Sequence, residues 1–290
     1  MLLALLAVLA TAPRAPALEL VVEAPPQLAG AVRDIQHMDR GRLLAGLALA
    51  GLDEPGGPIR VVLVPEGSQA ARGVPEWIAG YTDGVSGSVT LLPARAASYP
   101  HDGLPELLAH EIAHVLVDRA ARGRPVPRWF HEGVALMAGR EWRLEDRGRL
   151  SLAVLSRRHP WLDDLPEMFH GTRRQVGEAY ALSGAFVRYL VGAYGARWPA
   201  RVLARLASGD SFGEAFRAVT GDHLRDAEDA FWRRERSWDR WLPVLTSTAV
   251  LWAGITLLFF WVVKRRRRRD AEIRARWEEE ERPPADDTPL

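Results

Sequence analysis

Residues 110–114 read His-Glu-Ile-Ala-His, inside the run LLAHEIAHVLVD. On a helix, side chains four apart stand over one another on one face, so His110 and His114 can grip a single ion. Glu111 lies beside the pair, able to receive a proton from a water that such an ion polarises. Leu107, Leu108, Ile112, Val115 and Leu116 would bury the opposite face, and a low-dielectric setting strengthens an ion's effect on water. A catalytic zinc site takes three protein ligands and leaves the fourth position to water. The segment Arg128-Trp-Phe-His-Glu-Gly-Val-Ala135 offers a third. Glu132, eighteen positions after His114, can reach the pair from a second helix. His131 competes for the same role, adjacent in sequence but about 100° away around a helix.

The combination of His-Glu-x-x-His with Pro-x-Trp-Phe-x-Glu-Gly-x-Ala, over His110–His114 and Pro127–Ala135, resembles the gluzincin zinc metallopeptidases, the peptidase MA-like group. The resemblance implies that His110, His114 and Glu132 bind one Zn2+ per chain and that Glu111 is the general base. His131 falls on the family's variable position, which leaves it at most a support for a ligand. Weaker likeness continues through Glu178–Ser183 (EAYALS), Val187–Leu190, Phe212–Phe216 and Phe231-Trp232, so that it spans roughly residues 59–236. Hydrolysis of a peptide bond develops an oxyanion that needs a donor besides the metal. The resemblance implies a Tyr on a downstream helix for this, and Tyr180 is the candidate; His170, in a Phe-His-Gly turn, is a second. His37, His101, His159 and His223 have no partner pattern and read as surface or capping residues.

Those side chains must be carried by an α+β fold: a zincin-like small mixed β-sheet followed by a helical subdomain, plus one C-terminal transmembrane helix. LELVVE (Leu18–Glu23) and IRVVLVP (Ile59–Pro65) read as strands bounded by Pro and Gly. Leu28–Leu52 between them has helical spacing. Val89–Leu92 reads as a further strand, assigned to the sheet edge where an extended substrate would add. From Asp102, a candidate N-cap, the pattern turns helical, with Ser211-Phe-Gly-Glu214 a capping-box signature.

Four segments divide the chain. Residues 1–17 resemble a signal peptide, residues 18–241 form the extracytoplasmic peptidase domain, 242–263 are a transmembrane helix, and 264–290 are a basic, then acidic, disordered cytoplasmic tail. The span is uncharged over 22 residues and is followed at once by Lys264–Arg269, which implies a single-pass inner-membrane protein in contact with lipid through 242–263. There is no cysteine, which excludes Cys-type zinc fingers, iron–sulfur centres and thiol enzymes. Residues 18–241 balance 28 Arg against 29 acidic residues, so no nucleic-acid partner is expected.

The functional expectation is a membrane-anchored zinc metallopeptidase acting on a peptide or protein substrate at the membrane surface. The competing class is a proteolytically silent, metal-binding envelope scaffold or partner-binding protein. Glu111 favours the enzyme, because a carboxylate that does not hold the ion has no purpose in a silent site.

Overall fold

In Ile59–Leu63 the side chains of Ile59, Val61 and Leu63 fall on one face and are buried, while Arg60 on the other is exposed. This is the alternation of a strand with one covered face. A computed structural model describes residues 18–84, 86–155, 160–239 and 248–280. The first strand, β1 (Leu20–Glu23), is followed by helices α1 (Ala29–His37) and α2 (Gly41–Ala50), and then by β2 (Ile59–Leu63). The short helix α3 (Gln69–Arg72) leads to β3 (Gly80–Asp83) and β4 (Ser88–Leu91). The sheet order is β1-β2-β4-β3, with β1, β2 and β4 parallel and β3 antiparallel to β4. Thr82 pairs with Val89, so β4 is interior and β3 is the edge beside it. The assignment of Val89–Leu92 to the substrate edge is corrected accordingly: its hydrogen-bonding groups are taken up by strands on both sides.

The remaining elements are helical: α4 (Leu104–Ala120), α5 (Arg128–Gly139), α6 (Leu144–Leu155), α7 (Leu165–Met168), α8 (Arg173–Tyr194), α9 (Trp198–Ala207), α10 (Phe212–Thr220) and α11 (Leu224–Asp239). The cap at Ser211 forms as its sequence signals, with Ser211 Oγ accepting from the Glu214 amide and the Glu214 carboxylate accepting from the Ser211 amide. The start of α4 differs from expectation. Gly103 holds the N-cap position, and Glu106 reaches back to accept the amide of Asp102.

Helix α4 is the centre of the first unit. It is buried nearly all round, from Leu107 through Val117, as a helix must be when it packs between a sheet and other helices. On one side lie the buried residues Val89 and Leu91 of β4, and on another lies α5. The α4–α5 approach is lined by Ala113, Ala135 and Ala138, whose small side chains let the two backbones come close. Gly133 does the same between α5 and α8. A β-carbon there would lie 2.5 Å from the Ser183 carbonyl oxygen and would also run into Val187. Gly133→Ala gains about 1 kcal/mol of helix propensity but meets a backbone atom that cannot turn aside, and overpacking costs about 1–3 kcal/mol. The expected net loss of up to about 2 kcal/mol lowers Tm by up to about 6 °C in a circular-dichroism melt, although helices generally gain from this substitution.

The chain divides into two compact units, one ending at Arg233 and the other beginning at Arg234. In the second, the described helix α12 is Thr248–Glu280. Among the described residues no helix is long and apolar enough to cross a membrane. This overturns the expected transmembrane helix at 242–263 and, with it, the expected single-pass inner-membrane location. Among the described residues the fold is mostly helical, twelve α-helices with one small sheet, rather than an α+β domain with a membrane span. Residues 242–247 of the expected span, the expected signal peptide 1–17 and the end of the expected tail, 281–290, lie outside the described residues. Helix α12 itself runs through the basic block to Glu280.

Candidate metal centre

The one-turn spacing on α4 brings His110 Nε2 and His114 Nε2 to 3.1 Å. Helix α5 presents Glu132 Oε2 to both, at 3.3 Å from His110 Nε2 and 3.5 Å from His114 Nε2. Three donor atoms therefore form a nearly equilateral triangle. Ligands about 2.0–2.1 Å from a tetrahedral metal are about 3.3 Å from one another, so the triangle is one face of such a coordination shell. His110 and Glu132 are buried, and Glu132 Oε2 has no hydrogen-bond partner of its own among the described residues. A buried carboxylate oxygen without a partner is costly unless a cation shares the site. His110, His114 and Glu132 thus form a group that could hold a metal ion.

Electrostatics favour the ligating form of Glu132. Burial alone would raise its carboxyl, but the facing imidazoles of His110 and His114 outweigh burial and hold it well below the usual carboxylate range. Arg128, one turn earlier on α5, places its Nε 3.6 Å from Glu132 Oε1. Its guanidinium lies over the Phe169 ring at 4.3 Å.

Glu111, the next residue on α4 after His110, is buried and is held from β3. Thr82 Oγ1 donates to Glu111 Oε2 at 2.7 Å. Gly80 lies against the other oxygen: a β-carbon there would stand 2.9 Å from Glu111 Oε1. Thr82 therefore fixes one carboxylate oxygen, and the missing side chain at Gly80 is what lets the other lie this close to the strand.

Tyr180, on α8, faces the same space. Its ring centroid is 6.3 Å from that of His110 and 5.3 Å from that of Phe169. Burial, with the charges of Glu132 and Glu111, pushes its hydroxyl well above the ordinary tyrosine value, so it is a proton donor at neutral pH. The side chain is half-buried and has no hydrogen bond to another described residue. His170 is exposed, with its Nε2 3.5 Å from Arg128, and stands at the rim.

His131 is not in the triangle. Its Nδ1 lies 2.9 Å from Nδ1 of His114, on the ring edge away from His110 and Glu132. His101 departs further from expectation. It is buried, with its ring 4.6 Å from that of His110. Burial, together with the neighbouring His110 and Arg140, drives its imidazole well below the ordinary histidine value, so it is neutral. The loop that places it is anchored by a buried bidentate Arg140–Asp146 pair, 2.6 Å on each arm, whose carboxylate also accepts the Tyr99 hydroxyl at 3.0 Å. Such a pair specifies a position more than it stabilises. No local sequence signal marks His101, because that anchor comes from residues more than forty positions away. His37 and His223 are exposed as expected, and His159 lies outside the described residues.

No protein-family model matches the chain, and no curated protein matches it. The functional reading therefore rests on this geometry and on the residues that form it.

Proposed function

We propose that the chain is a zinc metallopeptidase of the gluzincin type, hydrolysing peptide bonds of a peptide or protein substrate. The observation that carries the reading is the His110–His114–Glu132 triangle with Glu111 on the same helix. Two imidazoles and one carboxylate suit Zn2+. When bound, zinc supplies a Lewis acid for the scissile carbonyl and lowers the pKa of a water in the fourth position to about 7.

The protein's own groups do the rest. Glu111 takes the proton of the attacking water on Oε1, the oxygen that Thr82 does not bind, while Thr82 holds Oε2. The same carboxyl then returns the proton to the leaving amine. Tyr180 donates its hydroxyl proton in a hydrogen bond to the oxygen that gains charge. Neutral His101 fills the wall beside His110 without adding a cation that would oppose a metal. Strand β3, at the end of the sheet among the described residues, offers backbone groups to an extended substrate, which aligns the scissile bond along α4.

Metal removal tests the reading. The full chain, supplied with zinc, is expected to cleave an unfolded protein substrate, to lose that activity after chelation and dialysis, and to recover it on adding one equivalent of Zn2+. A chain that binds zinc but leaves a panel of unfolded proteins and peptide libraries intact would instead be a metal-binding scaffold.

A further inference from the structure

Helix α4 carries Asp118 one turn beyond His114, and α5 carries His131 immediately before Glu132. His131 Nδ1 is 2.9 Å from His114 Nδ1, and His131 Nε2 is 2.9 Å from Asp118 Oδ1. The three side chains form a continuous relay that leads away from the metal triangle. Its polarity follows from the triangle. If Nε2 of His114 offers its lone pair to the ion, the proton of that ring sits on Nδ1 and is donated to His131 Nδ1. The His131 proton then sits on Nε2 and is donated to the Asp118 carboxylate. Every nitrogen and its partner are matched in this one arrangement, and the other tautomer of His114 would put its proton where the ion belongs.

The relay is held at its far end by the edge strand's turn. A β-carbon at Gly84 would collide with the Asp118 carboxylate, so the turn after β3 packs directly on it. Strand β3 thus touches α4 at Glu111 through Gly80 and Thr82, and the turn after it touches Asp118 through Gly84. His110 has no comparable support. Its buried Nδ1 lacks a hydrogen-bond partner among the described residues. The orientation of the pair therefore depends on His114.

We propose that His131 and Asp118 are positioning residues of the metal centre: they fix the tautomer and ring orientation of His114, and His131 acts through His114 rather than as a ligand. The proposal rests on the reading of His110, His114 and Glu132 as metal ligands and extends it to residues outside the triangle. Partners that hold a ligating histidine contribute about 10–100-fold to metal affinity.

The test measures zinc dissociation constants of the full chain in a metal buffer, with the visible absorption of the Co2+-loaded protein as a second readout. His131→Leu is expected to weaken zinc by about 10–100-fold and to shift the Co2+ bands, because His114 is freed to turn. His131→Gln, whose amide oxygen can accept from His114 and whose amide nitrogen can donate to Asp118, is expected to restore most of the affinity and the wild-type bands. The metal-free melting temperatures of the three proteins should agree within a few degrees, since the relay is partly exposed. Equal zinc affinity in wild type and His131→Leu overturns the relay alone. A wild-type chain that takes up no zinc overturns the metal reading and the relay together.

Discussion

Glu111→Gln is expected to lower peptide hydrolysis by about 10²–10⁴-fold while zinc uptake stays at the wild-type level. The substitution keeps the shape and length of the side chain and keeps an oxygen for the Thr82 hydroxyl, now 2.7 Å from the carboxylate. What it removes is the capacity to accept a proton. The loss corresponds to about 3–5 kcal/mol of transition-state stabilisation. Because Glu111 stands outside the donor triangle, the metal should remain. The informative quantities are kcat on an unfolded substrate and zinc content by elemental mass spectrometry on the same preparation. Retention of more than about a tenth of wild-type kcat would remove Glu111 from the role of base. Loss of zinc along with activity would make it a ligand instead.

Glu132→Ala is expected to act on the other half of the site, weakening zinc by more than about 100-fold, beyond the loss usual for a group that merely supports a ligand. Only His110 and His114 would remain, and two imidazoles make an incomplete shell for a tetrahedral ion. A thermal shift reads the difference directly. At a zinc concentration 100 times the wild-type Kd, binding stabilises the wild type by about 2.7 kcal/mol, whereas a variant weakened 100-fold gains about 0.4 kcal/mol. The metal-free variant should melt somewhat below the wild type, since the imidazoles of His110 and His114 favour the carboxylate that it loses, so the zinc-dependent shift and not the metal-free melting temperature reports the ligand. An undiminished zinc shift in Glu132→Ala would show that the third ligand comes from elsewhere in the site.

The two predictions separate because α4 sends its side chains to two sides. His110 and His114 face α5, and Glu111 faces β3. A one-residue step turns a helical side chain by about 100°, so Glu111 and the two histidines share a helix while keeping different partners. The glycines at 80, 84 and 133 are the positions where this packing is tightest. At each, a β-carbon would meet Glu111, Asp118 or the α8 backbone. Of these only Gly133 lies in a motif that the sequence marks. The reason it is glycine, close passage of α5 over Ser183, belongs to the tertiary structure.

Much of the secondary structure was legible locally. The apolar alternation of Ile59–Leu63 and the reciprocal Ser211–Glu214 cap depend on neighbours within a few residues. The start of α4 is not legible in the same way, because the side chain that caps the backbone at Asp102 is Glu106, and either residue suits the first turn of a helix. The expected membrane span was a count of uncharged residues. Among the described residues no helix is both long and apolar enough to cross a membrane.

By itself, the sequence determined which side chains are offered to an ion. The i, i+4 spacing of His110 and His114 is a property of one helix and needs no partner. It also offered two adjacent residues, His131 and Glu132, as the third member of the group. Only the tertiary structure decided between them, by the crossing of α4 and α5, which turns Glu132 toward both Nε2 atoms and His131 toward the far edge of His114. The same kind of packing buried His101 beside His110 and made β3, not β4, the open edge. Such outcomes depend on how distant segments cross and pair, and a local pattern of residue types carries no information about which neighbour another helix or strand will bring.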